Sequence, residues 1–145
     1  MMLLLDIDGV MVPAKGWLSL PIAEDGFVKF TDKAILNLKR IIYETNAAIV
    51  LTTSHRSRYS VPQWKDIFSL RGIEALIFKL EDSKLSKKED ILKFIKDNQP
   101  ENYVIVDDDT FLNDLPKTIK ERLVLTRPMI GLNEEITDSI LKLLK

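Results

Sequence analysis

The sequence predicts an α/β fold, a doubly wound parallel sheet of five strands with helices on both faces, formed as a single domain over residues 1–145. Three observations predict it. Short aliphatic runs alternate with helical patterns from one end to the other. The runs are mostly non-alternating, as in strands covered on both faces. The chain has 145 residues and is 46% hydrophobic, enough for one core. At this length folding buries on the order of 70% of the surface the unfolded chain exposes. The absence of cysteine, which excludes disulfides and structural zinc, is therefore no handicap.

The expected strands are residues 2–7 (MLLLDI), 47–52 (AAIVLT), 75–78 (ALIF), 103–106 (YVIV) and 123–126 (LVLT). Between the first two, Thr31 caps a helix whose Ile35, Leu38, Ile41 and Ile42 recur at helical spacing until Asn46. Pro62 and the Trp64, Ile67, Phe68 spacing suggest a helix over residues 61–70. Ser86 and Glu89 form an S-x-x-E capping box ahead of an Ile91, Phe94, Ile95 stripe, and Pro100 stops that helix. The last helix opens near Asn133, with Ile136, Ile140, Leu141 and Leu144 as its buried face. Residues 10–31, which hold Pro13, Gly16, Pro21 and Gly26 with Trp17, Leu18, Leu20 and Phe27, read as a turn-rich flap or small hairpin over the end of the first strand.

No apolar run approaches the roughly 18 residues of a membrane span and no basic leader precedes the first strand, so the expected location is cytoplasmic. A net charge of −1 argues against a general nucleic-acid coat protein. The charge is uneven, however: residues 54–88 hold eight Lys/Arg against four acids, a surplus of +4.

In open parallel sheets ligands bind beyond the carboxyl ends of the strands. Here the first strand ends in Asp6-Ile7-Asp8-Gly9, the second in Thr52-Thr53-Ser54 and the fourth in Asp107-Asp108-Asp109, while Lys87 and Lys88 open the intervening helix. Several Asp converging at one partly buried edge repel one another, and a hard divalent cation, Mg2+ above all, resolves this. Such a site suits phosphoryl chemistry. Lysines in a first helical turn oppose the helix dipole; a local anion or carboxylate would justify one of them, the alternative being that both are solvated surface lysines.

This set, in this order, resembles the haloacid dehalogenase (HAD) superfamily of aspartate-nucleophile phosphohydrolases, a Rossmann-like fold. The motifs are LLLDIDGV (residues 3–10), IVLTTS (49–54), Lys87 or Lys88, and VIVDD (104–108). The T-S-x-R turn, the VIVDDD strand and the later Leu125-Thr126-Arg127-Pro128 and Gly131-Leu132 stretch look like the small HAD domains associated with RNA repair. The resemblance implies Asp6 as nucleophile, Asp8 as general acid and then base, and Gly9 as the residue that lets the chain turn sharply. It implies that Thr53 and the Ser54 N–H bind the phosphoryl group and that Lys87 neutralises developing charge. Mg2+ would be held by Asp6, the main-chain carbonyl of Asp8, Asp107 and Asp108, with Asp109 either a third partner at the fourth strand's end or, the favoured reading, the cap of the next turn. Arg56 and Arg58, which follow the same turn, are candidate contacts to substrate phosphate, the alternative being solvated surface residues. His55, which stands where the narrower group carries Trp, is expected to pack or hydrogen-bond rather than catalyse.

Members of the superfamily often close over small substrates with a cap domain, and neither insertion slot here has room for one. The expected substrate is thus a phosphomonoester on something large or open, such as a nucleic-acid end or a phosphoprotein, drawn in by the basic surplus. The alternative is a catalytically silent module that binds phosphate or nucleic acid. A response-regulator receiver is excluded by order, because the third strand ends in Phe78-Lys79-Leu80 with no acceptor Asp.

Overall fold

The computed structural model describes residues 1–15, 20–83 and 85–145. The strands β1 (Met2–Leu5), β2 (Ala48–Leu51), β3 (Ile77–Lys79), β4 (Tyr103–Asp107) and β5 (Leu123–Leu125) form one all-parallel sheet in the order β3-β2-β1-β4-β5. The chain winds outward from β1 to β3, then crosses back to place β4 on the other side of β1. That reversal opens a crevice beyond the carboxyl ends of β1 and β4. Helices α1 (Asp32–Thr45), α2 (Val61–Leu70), α3 (Lys87–Asn98), α4 (Lys117–Lys120) and α5 (Glu134–Leu144) cover the two faces. None of the described helices is long and apolar enough to cross a membrane.

Side-chain alternation assigns each strand residue to one of two cores. Leu3, Leu5, Ile49, Leu51, Val104 and Val106 join the core containing α1, α2 and α5 residues, while Leu4, Val50 and Ile105 join Ile91 of α3 and Leu112 on the opposite face. Both sets are apolar, which is why these strands read as continuous aliphatic runs. Only the edge differs: the 75–78 run enters the sheet at Ile77, and Leu76 and Phe78 are exposed. An edge strand with one open face does not need the full run.

The helix starts follow local chemistry. The Thr31 side chain accepts from the Ala34 N–H, and Asn46 ends α1 in the left-handed conformation that its short side chain tolerates. The reciprocal capping box forms at Ser60 and Gln63. At Ser86 only half of the expected box is made: Ser86 accepts from the Glu89 N–H, but its hydroxyl donates to the Glu89 carboxylate. The short α4 and two 3-10 turns, Arg56–Arg58 and Thr110–Asp114, carry too few residues to show a period.

Within the flap, Gly16, Trp17, Leu18 and Ser19 lie outside the described residues. The second half of the flap is a small hairpin, in which Ile22 and Val28 form an antiparallel bridge and the Ala23 N–H donates to the Phe27 carbonyl at 2.7 Å. This hairpin is built into the core: Phe27, Val28 and Phe30 are buried, and Phe27 meets Trp64 edge-on at 5.3 Å. The buried Arg71 guanidinium pins it by donating to both Asp25 oxygens and to the Val28 carbonyl, and lies 4.9 Å from the Phe30 ring centre. Asp25→Ala is expected to cost about 2 kcal/mol, less than a fully buried pair because Asp25 lies at the surface. Hydrogen bonds from Arg71 hold the Asp25 pKa below its ordinary value. The pair's stabilisation is therefore complete above the unfolded pKa and lost as pH falls through the lower folded one. Urea melts of both chains at neutral and acid pH measure this, and equal stability at neutral pH would refute it.

Candidate active site

The site begins where β1 stops. The Ile7 carbonyl accepts from the N–H groups of Val10, Met11 and Val12, which curls the chain into a tight loop, and Gly9 takes a φ of +79°. A Cβ at Gly9 would lie 2.1 Å from Asp108 Oδ2, so the glycine serves both the turn and the approach of the two loops. The segment after β5 braces this loop. Thr126 Oγ1 donates to the Gly9 carbonyl at 2.7 Å, and the Leu132 N–H donates to the Val10 carbonyl at 2.8 Å. Gly131 packs so closely that a Cβ there would be 2.5 Å from the Val10 oxygen. The sequence showed the Leu-Thr-Arg-Pro and Gly-Leu stretch as a motif, but not that its work is to hold Asp6 to Val10 in place.

Asp6 and Asp107 are buried at adjacent strand ends, and Asp108 is half-buried beside them. One carboxylate oxygen from each lies within 4.8 Å of the others. Lys87, the first residue of α3, reaches into this group with Nζ 3.0 Å from Asp107 Oδ2 and 3.4 Å from Asp6 Oδ2. Lys88 turns away and pairs with Asp114 on the surface. The cost of a lysine at a helix start is thus offset by two carboxylates.

The electrostatics follow from crowding. Burial, then the Asp107 charge, push the Asp6 pKa up to about 8, against the opposing pull of Lys87. Burial and Asp107 likewise raise Asp108. For Lys87, burial alone favours the neutral amine, but the Asp6 and Asp107 carboxylates outweigh it and keep the ammonium above its ordinary pKa. Among the described residues, Lys87 is the cation that faces these three carboxyl groups, and the donor set is all oxygen. This fits a hard divalent ion such as Mg2+ and not a thiophilic metal.

The remaining predicted residues divide. Thr53 lies buried just past β2, next to β1, where its Oγ1 accepts from the His55 N–H at 3.2 Å, and Ser54 is exposed on the same turn. Asp109 caps the following 3-10 turn by accepting from the Phe111 N–H. The Asp8 carboxylate is about one-third exposed and lies 3.3 Å from His55 Nε2. This contact escaped sequence reasoning, because a lone histidine carries no pattern.

Arg56 departs from expectation. Its guanidinium is buried, 2.6 Å from Asp90 and donating to the carbonyls of Leu80, Thr52 and Thr53. It anchors the turn after β2 from inside rather than offering itself to a phosphate. With Arg71 also buried in a pair and Lys79 donating to the Arg56 and Tyr59 carbonyls, much of the basic surplus of residues 54–88 is spent internally. A charge count along the chain overstates the positive surface because it cannot see which cations fold inward.

A sheet with D-x-D closing its first strand, paired acids closing its fourth and a lysine reaching both from an intervening helix defines a HAD-type α/β domain. The described residues contain no cap domain. The chain belongs to the family described as the HAD domain in Swiss Army Knife RNA repair proteins, whose model matches residues 2–136. No curated protein matches it.

Proposed function

We propose that the chain is a Mg2+-dependent phosphomonoesterase that works through an aspartyl-phosphate on Asp6. The observation that supports this most is the set of Asp6, Asp107, Asp108 and Lys87 at the crevice. It combines a buried carboxylate, an acidic cation site and a fixed ammonium. An Asp6 oxygen attacks phosphorus while the bond to the leaving oxygen breaks and Asp8 gives that oxygen its proton. Water then attacks the aspartyl-phosphate, Asp8 takes its proton, and inorganic phosphate and the Asp6 carboxylate are released. Lys87 offsets the charge on the transferring group, Thr53 and the Ser54 N–H orient it, and Gly9 admits Asp108 to the centre. Magnesium, held by Asp6, Asp107, Asp108 and the Asp8 carbonyl, would keep Asp6 ionised and shield the anionic phosphoryl group.

The proposed substrate is a phosphate on a large or open molecule, a nucleic-acid end before a phosphoprotein. The RNA-repair setting in the family's description favours the first. A groove of about 660 Å3 is lined by Lys87, which it shares with the site, and by Lys88 and Phe111, a residue 84% exposed, and such a groove suits an extended partner. The test is release of phosphate from 4-nitrophenyl phosphate and from phosphorylated oligonucleotide ends with Mg2+ and with chelator. Inactivity on every ester with Mg2+ present would favour the silent binding module. Equal or better turnover of free nucleotides than of oligonucleotide ends would end the macromolecular reading.

Metal binding has a further expected signature. An Asp6 pKa near 8, above its unfolded value, means that the metal-free fold holds an extra proton between about pH 4 and 8 and loses stability as pH rises through that window. Mg2+ binds the deprotonated form and reverses the loss. Melting temperatures should therefore rise with Mg2+ more at pH 8 than at pH 5. A shift that is absent, or larger at pH 5, would count against the site.

A further inference from the structure

We infer that His55 is a positioning residue for Asp8, its imidazole holding the Asp8 carboxyl where it can hand its proton to the departing oxygen. This deepens the role proposed above for Asp8 and rests on it. The contact is direct, with Nε2 of His55 3.3 Å from Oδ2 of Asp8, and both side chains are about two-thirds withdrawn from solvent, at 29% and 35% exposure. It is separate from the cluster around the proposed metal, where Lys87 serves Asp6 and Asp107. Lys87 thus addresses the carboxylates at the reacting phosphorus, and His55 addresses the carboxyl facing the leaving group.

The backbone on each side of the contact is held rigidly, as a group that must aim another group requires. On one side, the His55 N–H donates to Thr53 Oγ1 and its carbonyl accepts from the Arg58 N–H. The next residue, Arg56, is locked by its pair with Asp90, and its carbonyl accepts from Trp64 Nε1 and Lys79 Nζ. The internal Arg56 network thus has a purpose: it immobilises the turn that presents the imidazole. On the other side, the three N–H bonds to the Ile7 carbonyl and the brace from Thr126 hold the backbone at Asp8. With both backbones fixed, the direction of the Asp8 carboxyl is set by its side-chain torsions, and the imidazole meets that carboxyl directly. His55 acts through position: as the Asp6 oxygen bonds phosphorus and the leaving oxygen departs with the Asp8 proton, the imidazole neither gives nor takes a proton.

The test compares kcat/KM for an alkyl phosphate, whose leaving oxygen must be protonated, with that for 2,4-dinitrophenyl phosphate, whose leaving group departs without a proton. Misaiming a proton donor costs on the order of 10- to 100-fold. His55→Ala is expected to lose that factor on the alkyl ester and to keep most of the kcat/KM for the dinitrophenyl ester, whose leaving group departs before Asp8 takes the proton of water; this also shows that the variant is folded. His55→Gln, which keeps an N–H donor in reach, is expected to recover most of the loss. Equal loss on both esters, or no rescue by Gln, would overturn the inference. Asp8→Asn is the reference: if it too affects both esters equally, or if the wild-type chain turns over neither, the reading of Asp8 itself fails and the inference with it. A second readout needs no turnover. His55 is the chain's single histidine, so its imidazole gives one set of 15N resonances. Asp8→Asn should displace them, and unchanged resonances would overturn the contact.

Discussion

Asp6→Asn is expected to abolish phosphate release, lowering kcat by at least about 10^4-fold, while making the metal-free protein more stable by about 1 kcal/mol at pH 8. The two effects share one cause. Asp6 is 4% exposed, and burial and Asp107 oppose its ionisation, so the carboxylate needed for attack on phosphorus is also a source of strain in the fold. Asparagine keeps the shape, removes the nucleophilic oxygen and ends the repulsion, leaving Lys87 paired with Asp107 at 3.0 Å. Phosphate release and thermal unfolding without metal, run on the same preparations, measure both effects. A variant that retains turnover would refute the mechanism; one that is inactive but destabilised would refute the electrostatic account while leaving the chemistry standing.

Gly9→Ala should be nearly as severe for a different reason. A methyl group at this position meets the Asp108 side chain at 2.1, 2.4 and 2.8 Å from its Oδ2, Cγ and Cβ, so the whole side chain has to leave its place. The φ of +79° adds the cost of a left-handed residue other than glycine. The two contributions together predict a loss of roughly 2–5 kcal/mol. With Asp108 displaced, Mg2+ affinity should fall by about 10- to 100-fold. Gly26→Ala supplies the comparison: its φ is +82° but, among the described residues, no heavy atom beyond its chain neighbours lies within 4 Å of the added methyl, so it carries the backbone cost alone. Urea melts and Mg2+ titrations of the two variants separate strain from collision. Equal Mg2+ affinities in both would show that Asp108 does not need Gly9's empty space.

Much of the fold was legible because its signals are local. Aliphatic runs buried on two faces, Thr31 and Ser86 as caps and Pro100 as a stop each act over a few residues and survive without tertiary information. The reading weakened where burial was uneven, as in the 75–78 run, whose Leu76 faces solvent, or where an element was too short to show a period, as with α4. The site was legible in outline for a geometric reason: parallel strands deliver their carboxyl ends to one edge, so Asp6, Thr53 and Asp107 had to lie near one another once the strands were placed.

Period, order and residue type were enough to set the class of fold, the edge at which the acids gather and the candidate chemistry. Which long side chain points where was settled by packing. Lys87 and Lys88 are adjacent, yet one finds Asp107 twenty positions away and the other finds Asp114. Arg56 looked like a phosphate ligand until Asp90, thirty-four positions on, took it into the core, and His55 acquired a role only when a separate loop brought Asp8 to it. A flexible side chain bearing a charge goes to whichever partner the packed fold places within reach, and that partner is set by contacts distant in sequence, which no local pattern records.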